Sequence, residues 1–384
     1  MRYLTAGESH GEYLTAILEG MPSGVPLSVD KINQDLARRQ GGYGRGGRMK
    51  IEQDRVKVAS GVRNGVSMAS PIALLLANRD YSNWREKMAV EPFPKPVDML
   101  THPRPGHADL TGGIKYATHD MRNILERSSA RETAMRVAVG AIAKQLLSEF
   151  NIQIISYVTN IGGMSASKLD LPYQELFNLA ENSPVRCPDK TAAELMIKRI
   201  DWAKTAGDSL GGTFEVVALN VPPGLGSHVH WDRKLNAKLA YALMSIQAIK
   251  GVEIGDGFAL SDLTGAAAHD EIFYNAERGF YRLSNHAGGI EGGMSNGEPI
   301  VLRAVMKPIP TLMRPLRSVD VVTKEPVDAS IERSDTCAVP AAAVVAEAVV
   351  AFEIASALRE KFAGDSLDEM KANFRNYLQT IEHY

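Results

Sequence analysis

Two histidines in this 384-residue chain sit where an imidazole can move a proton. His10 lies in Gly7-Glu8-Ser9-His10-Gly11 and His107 in Arg104-Pro105-Gly106-His107-Ala108-Asp109. Glycine beside histidine lets the backbone approach a ligand and leaves the ring uncovered, and imidazole exchanges protons near neutral pH. A structural turn histidine is the competing reading at each position. Other residues suit an anion. Arg38 and Arg39 run into Gly41-Gly42-Tyr43-Gly44-Arg45-Gly46-Gly47-Arg48, and the guanidinium fork pairs bidentately with carboxylate or phosphate. An RGG-type nucleic-acid segment and a solvated basic loop are the alternatives. Arg127-Ser128-Ser129-Ala130-Arg131-Glu132-Thr133-Ala134 and Glu332-Arg333-Ser334 both run into Ala-rich stretches. Each sets an Arg and a hydroxyl where a helix is expected to begin, a position suited to gripping an anion. Asp335 stands where the first copy has Ser129, so one end of a duplicated site would bind an anion and the other handle a proton. An ordinary helix N-cap accounts for Asp335 equally well.

Several other patterns lead nowhere. His228 and His230 have the alternate spacing of two strand-borne metal ligands, yet no third ligand is evident, and no metal site is expected. Gly207-Asp208-Ser209-Leu210-Gly211-Gly212 is like a serine-protease nucleophile segment interrupted by Leu210. No Gly-x-Gly-x-x-Gly follows a strand and there is no Walker loop, so a Rossmann-type dinucleotide site or an ATP site has no support. Lys307-Pro308-Ile309-Pro310-Thr311 predicts a rigid turn with exposed backbone and one cation.

The elements that must position these residues repeat. Ala6-Gly7-Glu8-Ser9-His10-Gly11 is echoed by Ala206 to Gly211, Pro22 and Gly24 by Pro222 and Gly224, and Pro71-Ile72 by Pro299-Ile300. The Glu-Arg-Ser pair completes the series in chain order, which predicts an internal duplication of about 1–150 and 200–360. Segments 13–19, 56–60, 71–77, 152–160, 213–221, 258–263 and 299–306 read as strands. Segments 30–40 and 232–250 read as helices opened by Asp30 and Asp232. Residues 120–150 read as one helix and 338–362 as another, both apolar nearly all round and therefore buried between layers. The expected fold is α+β: a β-α-β sandwich, two antiparallel sheets around a buried helical layer, with a pseudo-twofold relation between halves. It would form a single domain over 1–384, with a connector at 160–200 and an amphipathic C-terminal helix at 365–384. The Pro-rich stretch 90–111 predicts a long ordered loop or lid, with the Gly-rich 41–48 loop as a second lid.

Composition bounds the partner. Net charge is −2, which argues against a nucleic-acid coat. Residues 1–136 hold 20 Lys and Arg against 15 Asp and Glu, and the remainder 23 against 30, so the first part is +5 and the rest −7. A small anionic partner for the first half is expected, with no nucleic acid and no membrane. Cys187 and Cys337 are the only cysteines, which favours a reducing compartment. The chain begins directly with strand-like Tyr3-Leu4-Thr5 and lacks an apolar run of about 20 residues, so a cytoplasmic location is expected.

Taken together, Gly7 to Gly11, Arg39 to Arg48, Arg104 to Asp109 and Arg127 to Ala134 closely resemble the chorismate synthase family. Ser245 to Gly255, Gly288 to Gly297 and Lys307 to Thr311 are similar to the same family, and the likeness runs from about residue 1 to 360. Gln247 stands where many relatives have proline. The resemblance implies a lyase that converts 5-enolpyruvylshikimate 3-phosphate to chorismate by 1,4-elimination of phosphate, and it implies a homotetramer. Reduced FMN would be required without net redox change, and some members reduce their own flavin with NADPH. By similarity, Ser9, Arg39, Arg45, Arg48, Arg104, Ser129, Arg131 and Arg333 would hold the substrate. His10 would protonate the departing phosphate, His107 would sit near the flavin and favour its reduced, anionic form, and Asp335 would accept the proton through the flavin N5. The flavin would be bound by Arg127, Ser128, Ser129, Gln247, Ala248, Gly292, Lys307, Pro308, Ile309, Pro310, Thr311 and Arg333.

Overall fold

Alternating burial along apolar strands builds the first sheet. Leu14, Ala16 and Leu18 of strand Tyr13–Glu19 and Ile72, Leu74 and Leu76 of strand Ile72–Ala77 are fully buried, while Ile17 is half exposed. Side chains two apart share one face of a strand, so the pattern sets which face meets the core. The computed structural model describes residues 1–384 apart from 48–50, 94–96 and 333. Within them, four antiparallel strands lie in the order Arg2–Ala6, Tyr13–Glu19, Ile72–Ala77, Val56–Val58. A second antiparallel sheet runs Gln153–Ile161, Gly212–Leu219, Ile300–Met306, Ile249–Ile254, with Met164–Ser165 added at one edge.

Each sheet, numbered along its own chain segment, has the order first, second, fourth, third. A helix follows the second strand in both, Val29–Gln40 and Leu235–Met244, and a long one follows the fourth, Thr133–Ser148 and Val339–Phe362. One turn repeats down to its hydrogen bonds. Ser67 Oγ donates to Pro22 O (2.5 Å) and accepts from Val25 N (2.9 Å), and Ser295 Oγ does the same with Pro222 O (2.6 Å) and Leu225 N (2.8 Å).

The two long helices pack on each other, Thr133–Ser148 against the first sheet and Val339–Phe362 against the second. Their Ala-rich faces let the backbones come close. A Cβ on Gly140 would lie 2.4 Å from Ala348 Cβ. Contrary to the expectation that no run of about 20 residues is apolar enough to span a bilayer, Val339–Phe362 is so by length and composition, but 89% of its apolar window is buried inside the protein. A helix enclosed by layers is also apolar on every side. Tyr3 closes the first sheet onto this helix, its ring 4.7 Å from Phe352 in an edge contact.

Several sequence expectations shift. The 120–150 helix is broken into Arg122–Ser128, a 3-10 turn Ala130–Glu132, and Thr133–Ser148. Residues 258–263 form a 3-10 turn, Gly257–Asp262, and the helix expected to reach 250 stops at Met244, giving way to strand Ile249–Ile254. Apolar runs this short do not separate strand from helix by periodicity alone. The cap of Val29–Gln40 is Ser28, whose side chain accepts from Lys31 N, with Asp30 inside the first turn, and Asp232 lies in a 3-10 turn before Leu235–Met244. The 160–200 segment falls between the first and second strands of the second sheet, where helix Tyr173–Glu181 covers that sheet's outer face through Leu176 and Ala180 on Ile155, Tyr157 and Val217. The C-terminal helix is Leu367–Glu382, opened by a capping box of Ser366 and Glu369.

One buried carboxylate ties these layers together. Glu347, fully buried in the long helix, accepts from Arg38 (2.8 Å to each oxygen), Lys144 (2.7 Å), Arg186 (3.1 Å) and Ser156 Oγ (2.6 Å). Asp35 and Glu181 balance the remaining charge of Arg38, Lys144 and Arg186. Burial alone pushes the Glu347 carboxyl up, and the three cations hold it well below the usual range. Such a depressed carboxylate adds stability that is fully present above its ordinary value near pH 4.5 and fades as pH falls below it. Glu347→Gln leaves one buried and two partly buried cations short of a charge. It is expected to cost roughly 3 to 5 kcal/mol in urea unfolding at pH 7 and to flatten the loss of stability below pH 4.5; unchanged unfolding at both pH values would remove this cluster from the account.

Candidate active site

The break at Ser129 makes the site. Ser129 has extended backbone (φ −61°, ψ 140°), and its Oγ accepts from Arg131 N at 3.3 Å, so the chain turns between two helices and carries Ser128, Ser129 and Arg131 to one wall of a cavity of about 620 Å³. The first turns of Val339–Phe362 form its floor through Ala341, Ala342 and Val345. Arg127 and Ser128 therefore end a short helix instead of beginning a long one.

Positive charge lines this cavity and is withdrawn from water. Arg39, Arg104 and Arg131 are each 6% exposed or less. Arg131 Nη1 chelates Asp54 (2.7 and 2.8 Å), Arg131 Nε donates to Asn78 Oδ1 (2.9 Å), and Arg39 Nη1 reaches the same Asp54 at 3.4 Å. Two guanidiniums thus share one carboxylate. Burial, opposed by Asp54 and reinforced by Arg131 and Arg45, pushes Arg39 down to about 10. Arg131 Nη2 makes no hydrogen bond among the described residues and lies 3.7 Å from Glu52 Oε2. Arg104 is held by the fully buried Asp109 (Nε to Oδ2, 2.8 Å) and donates to Thr311 Oγ1 (2.8 Å).

Both histidines line the cavity, and each has a buried carboxylate behind it. His10 Nδ1 lies 2.8 Å from Glu126 Oε1, and its ring stacks on Trp84 at 4.0 Å. His107 Nδ1 lies 2.6 Å from Asp109 Oδ1. Burial raises the Asp109 carboxyl, but hydrogen bonds from His107 and Arg104 hold it well below the carboxylate range. Ser9, almost wholly buried, accepts from Ser129 Oγ at 3.1 Å.

The Gly-rich loop reaches the second copy of the motif. Gly46 N donates to Asp335 Oδ1 (2.6 Å), Arg45 Nη1 lies 3.1 Å from Asp335 Oδ2, and a Cβ on Gly46 would stand 2.7 Å from Ser334 O. Only glycine permits that approach. On the remaining wall, Gln247 Nε2 donates to Glu132 (2.7 Å) while its buried Oε1 has no partner among the described residues. Ala248 holds a left-handed backbone (φ 67°) and its carbonyl accepts from Lys307 N (2.9 Å). Ser209 Oγ, in the copy of the Ser9 turn, donates to Ile309 O at 2.6 Å and so supports the Lys307 to Thr311 turn. The Pro-rich stretch is pinned by Ser318 Oγ to Pro103 O, Ser330 Oγ to His102 O and Thr101 Oγ1 to Asp320, each 2.5 Å.

Of the residues singled out by sequence, Ser9, His10, Arg39, Arg45, Arg104, His107, Ser128, Ser129, Arg131, Gln247, Ala248, Lys307, Ile309, Pro310, Thr311 and Asp335 line this one cavity. Three do not. Arg127 donates to Thr5 and Gly7 carbonyls beside the cavity, Pro308 sits behind the lining against Gly211, and Gly292 turns a separate short hairpin with φ 58°. Arg48 and Arg333 lie outside the described residues. Sequence reasoning passed over Trp84, Glu126 and Asp54. Glu126 directly precedes Arg127 and matches Glu332 in the duplicated motif, a signal present but unread; Trp84 and Asp54 carry no local pattern.

The family model for chorismate synthase matches residues 1–358. Chorismate synthase of Geotalea uraniireducens (strain Rf4) is 59% identical over all of both chains, and that of Desulforamulus reducens (strain ATCC BAA-1160 / DSM 100696 / MI-1) is 60% identical over 99% of each. A solved structure described as the crystal structure of chorismate synthase superposes with a TM-score of 0.82 at 45% identity, covering 100% of this chain and 98% of the other. With a match this long, the chain belongs to the chorismate synthase family.

Proposed function

We propose that the cavity is the active site for the family's reaction and that its two walls divide substrate from cofactor. The reaction converts 5-enolpyruvylshikimate 3-phosphate to chorismate and phosphate by a 1,4-elimination that requires a reduced flavin without net redox change. One observation carries the assignment: buried arginines, two carboxylate-backed histidines and Asp335, from segments far apart in sequence, share one cavity.

The substrate bears two carboxylates and a phosphate. Arg39, Arg45, Arg104 and Arg131 hold it, joined by Arg48 and Arg333 on the strength of the family likeness; removing such an anion from water is offset only by charge-assisted hydrogen bonds. Ser9 and Ser129 donate to the leaving phosphate and His10 protonates its bridging oxygen as general acid. Asp335, braced by Gly46 N and Arg45, holds the proton lost from the ring.

The opposite wall suits reduced FMN. Gln247 Oε1 is a buried acceptor that an isoalloxazine N–H would satisfy, Lys307 offers a cation to the flavin phosphate, and Ala248 holds a strained backbone of the kind that clusters at ligand clamps. Ser128, Ser129, Gln247, Ala248 and the Lys307 to Thr311 turn would hold it, with Arg127, Gly292 and Arg333 assigned from likeness alone. Bound there, the flavin supplies the electron-rich chemistry of the C–O cleavage and hydrogen loss. His107, fixed by Asp109, keeps that wall polar and favours the reduced form, and NADPH is the reductant to try first.

The same reading extends to the whole molecule. Two duplicated halves form a β-α-β sandwich, the protein works in the cytoplasm, and further copies complete a homotetramer. Leu4 pairs with Ile17 on the outer face of the first sheet, 78% and 48% exposed, whereas the second sheet is covered by its own chain.

The deciding experiment is anaerobic: protein, chemically reduced FMN and the enolpyruvyl substrate, with phosphate release followed in time. Release is expected, and none from well-folded protein would end the proposal. His10→Ala is expected to keep substrate binding and lose turnover about 10² to 10⁴-fold, and Asp335→Asn to slow the step that discharges the ring proton; normal turnover in either removes that role. Gly46→Ala, which pushes a methyl against Ser334 O, is expected to lower turnover without lowering the unfolding midpoint; wild-type turnover would separate this loop from the site.

A further inference from the structure

Glu126 stands outside the chemistry assigned above, yet each of its oxygens bonds His10. Oε2 accepts from His10 N at 2.7 Å and Oε1 lies 2.8 Å from His10 Nδ1, with the carboxylate 3% exposed. Gripping backbone and ring together fixes the histidine's side-chain torsions. Trp84 closes the ring from its face, at 4.0 Å and 26° between planes, and the Arg122 guanidinium lies 5.0 Å from the Trp84 ring centre. Arg122 also reaches Glu126 Oε1 (3.4 Å) and Glu332 Oε1 (3.1 Å), so it joins the glutamates of the two Glu-Arg-Ser copies.

We propose that Glu126 is the positioning residue of the acid step: it holds His10 with Nδ1–H towards itself, so that Nε2 delivers the proton to the leaving phosphate. The inference rests on the role given to His10 above. A carboxylate is acceptor-only, so whichever charge state His10 takes, Nδ1 must keep its hydrogen. Burial works to raise the Glu126 carboxyl, but its bonds from His10 and the charge of Arg122 hold it below the ordinary value, which keeps it an acceptor.

Glutamine at 126 offers one acceptor for two donors. With its carbonyl on His10 N, its amide faces Nδ1 and forces the other tautomer. The test is nitrogen-15 NMR of histidine-labelled full-length protein at alkaline pH, with steady-state phosphate release by wild type, Glu126→Gln, Glu126→Asp and His10→Ala. Expected are a wild-type His10 carrying its hydrogen on Nδ1, and a Glu126→Gln protein with the hydrogen on Nε2, kcat down about a hundredfold and KM within about threefold. Glu126→Asp should keep the wild-type tautomer and recover part of kcat, which decides the matter if the glutamine variant does not fold. A wild-type His10 with its hydrogen on Nε2, or Glu126→Gln with wild-type kcat, overturns the inference. Should His10→Ala turn over normally, the acid assignment itself falls; an inactive His10→Ala beside a fully active Glu126→Gln sinks only the positioning role.

Discussion

The structure depends on keeping several guanidiniums out of water at the wall of one cavity. Arg39, Arg104 and Arg131 are almost fully buried, and an unpaired buried charge costs far more than a domain can spare. Asp54, Asp109 and Glu52 bear that burden. Asp54 serves two arginines at once, and Glu52 lies 3.7 Å from Arg131, so shared carboxylates make the burial tolerable while the guanidiniums stay at the cavity wall. In the proposed reading a substrate with three acidic groups would meet these cations there.

Holding these groups in place requires a rigid support on both sides. The support is the pair of Ala-rich helices, whose contact at Gly140 and Ala348 brings their backbones into near touch and whose first turns meet the cavity. The Glu347 cluster locks that pair to Val29–Gln40 and to the second sheet through Arg38, Lys144 and Arg186. Arg38 and Arg39 are neighbours in sequence and lie in different places: one clamps layers, the other lines the cavity. Successive residues of a helix point about 100° apart, so adjacency in a basic run says little about shared function.

The two sheets share a strand order, and the turns at Pro22 and Pro222 share hydrogen bonds, yet the corresponding Ser9 and Ser209 turns serve different ends. The first presents Ser9 and His10 to the cavity, while the second uses Ser209 to hold the Ile309 carbonyl and so props the wall opposite. Similar local structure thus forms two different sides of one pocket.

What the sequence determined on its own were the features that are local in the chain: the apolar strands, the apolar helices, the glycine positions, and motifs whose residue types suit anion binding and proton transfer. From these the α+β class and the arginines, serines and histidines at the cavity were legible, whereas Gln247 and Ala248 came only from the family resemblance. What only the tertiary structure decided was how the pieces meet. The helix break at Ser129, the strand Ile249–Ile254, Asp54 beneath two arginines, Trp84 on His10 and the split between Arg38 and Arg39 all depend on partners tens to hundreds of residues away. Short segments carry too little pattern to resist such partners, and a buried charge takes its meaning from the counter-charge folded against it, which no local spacing records.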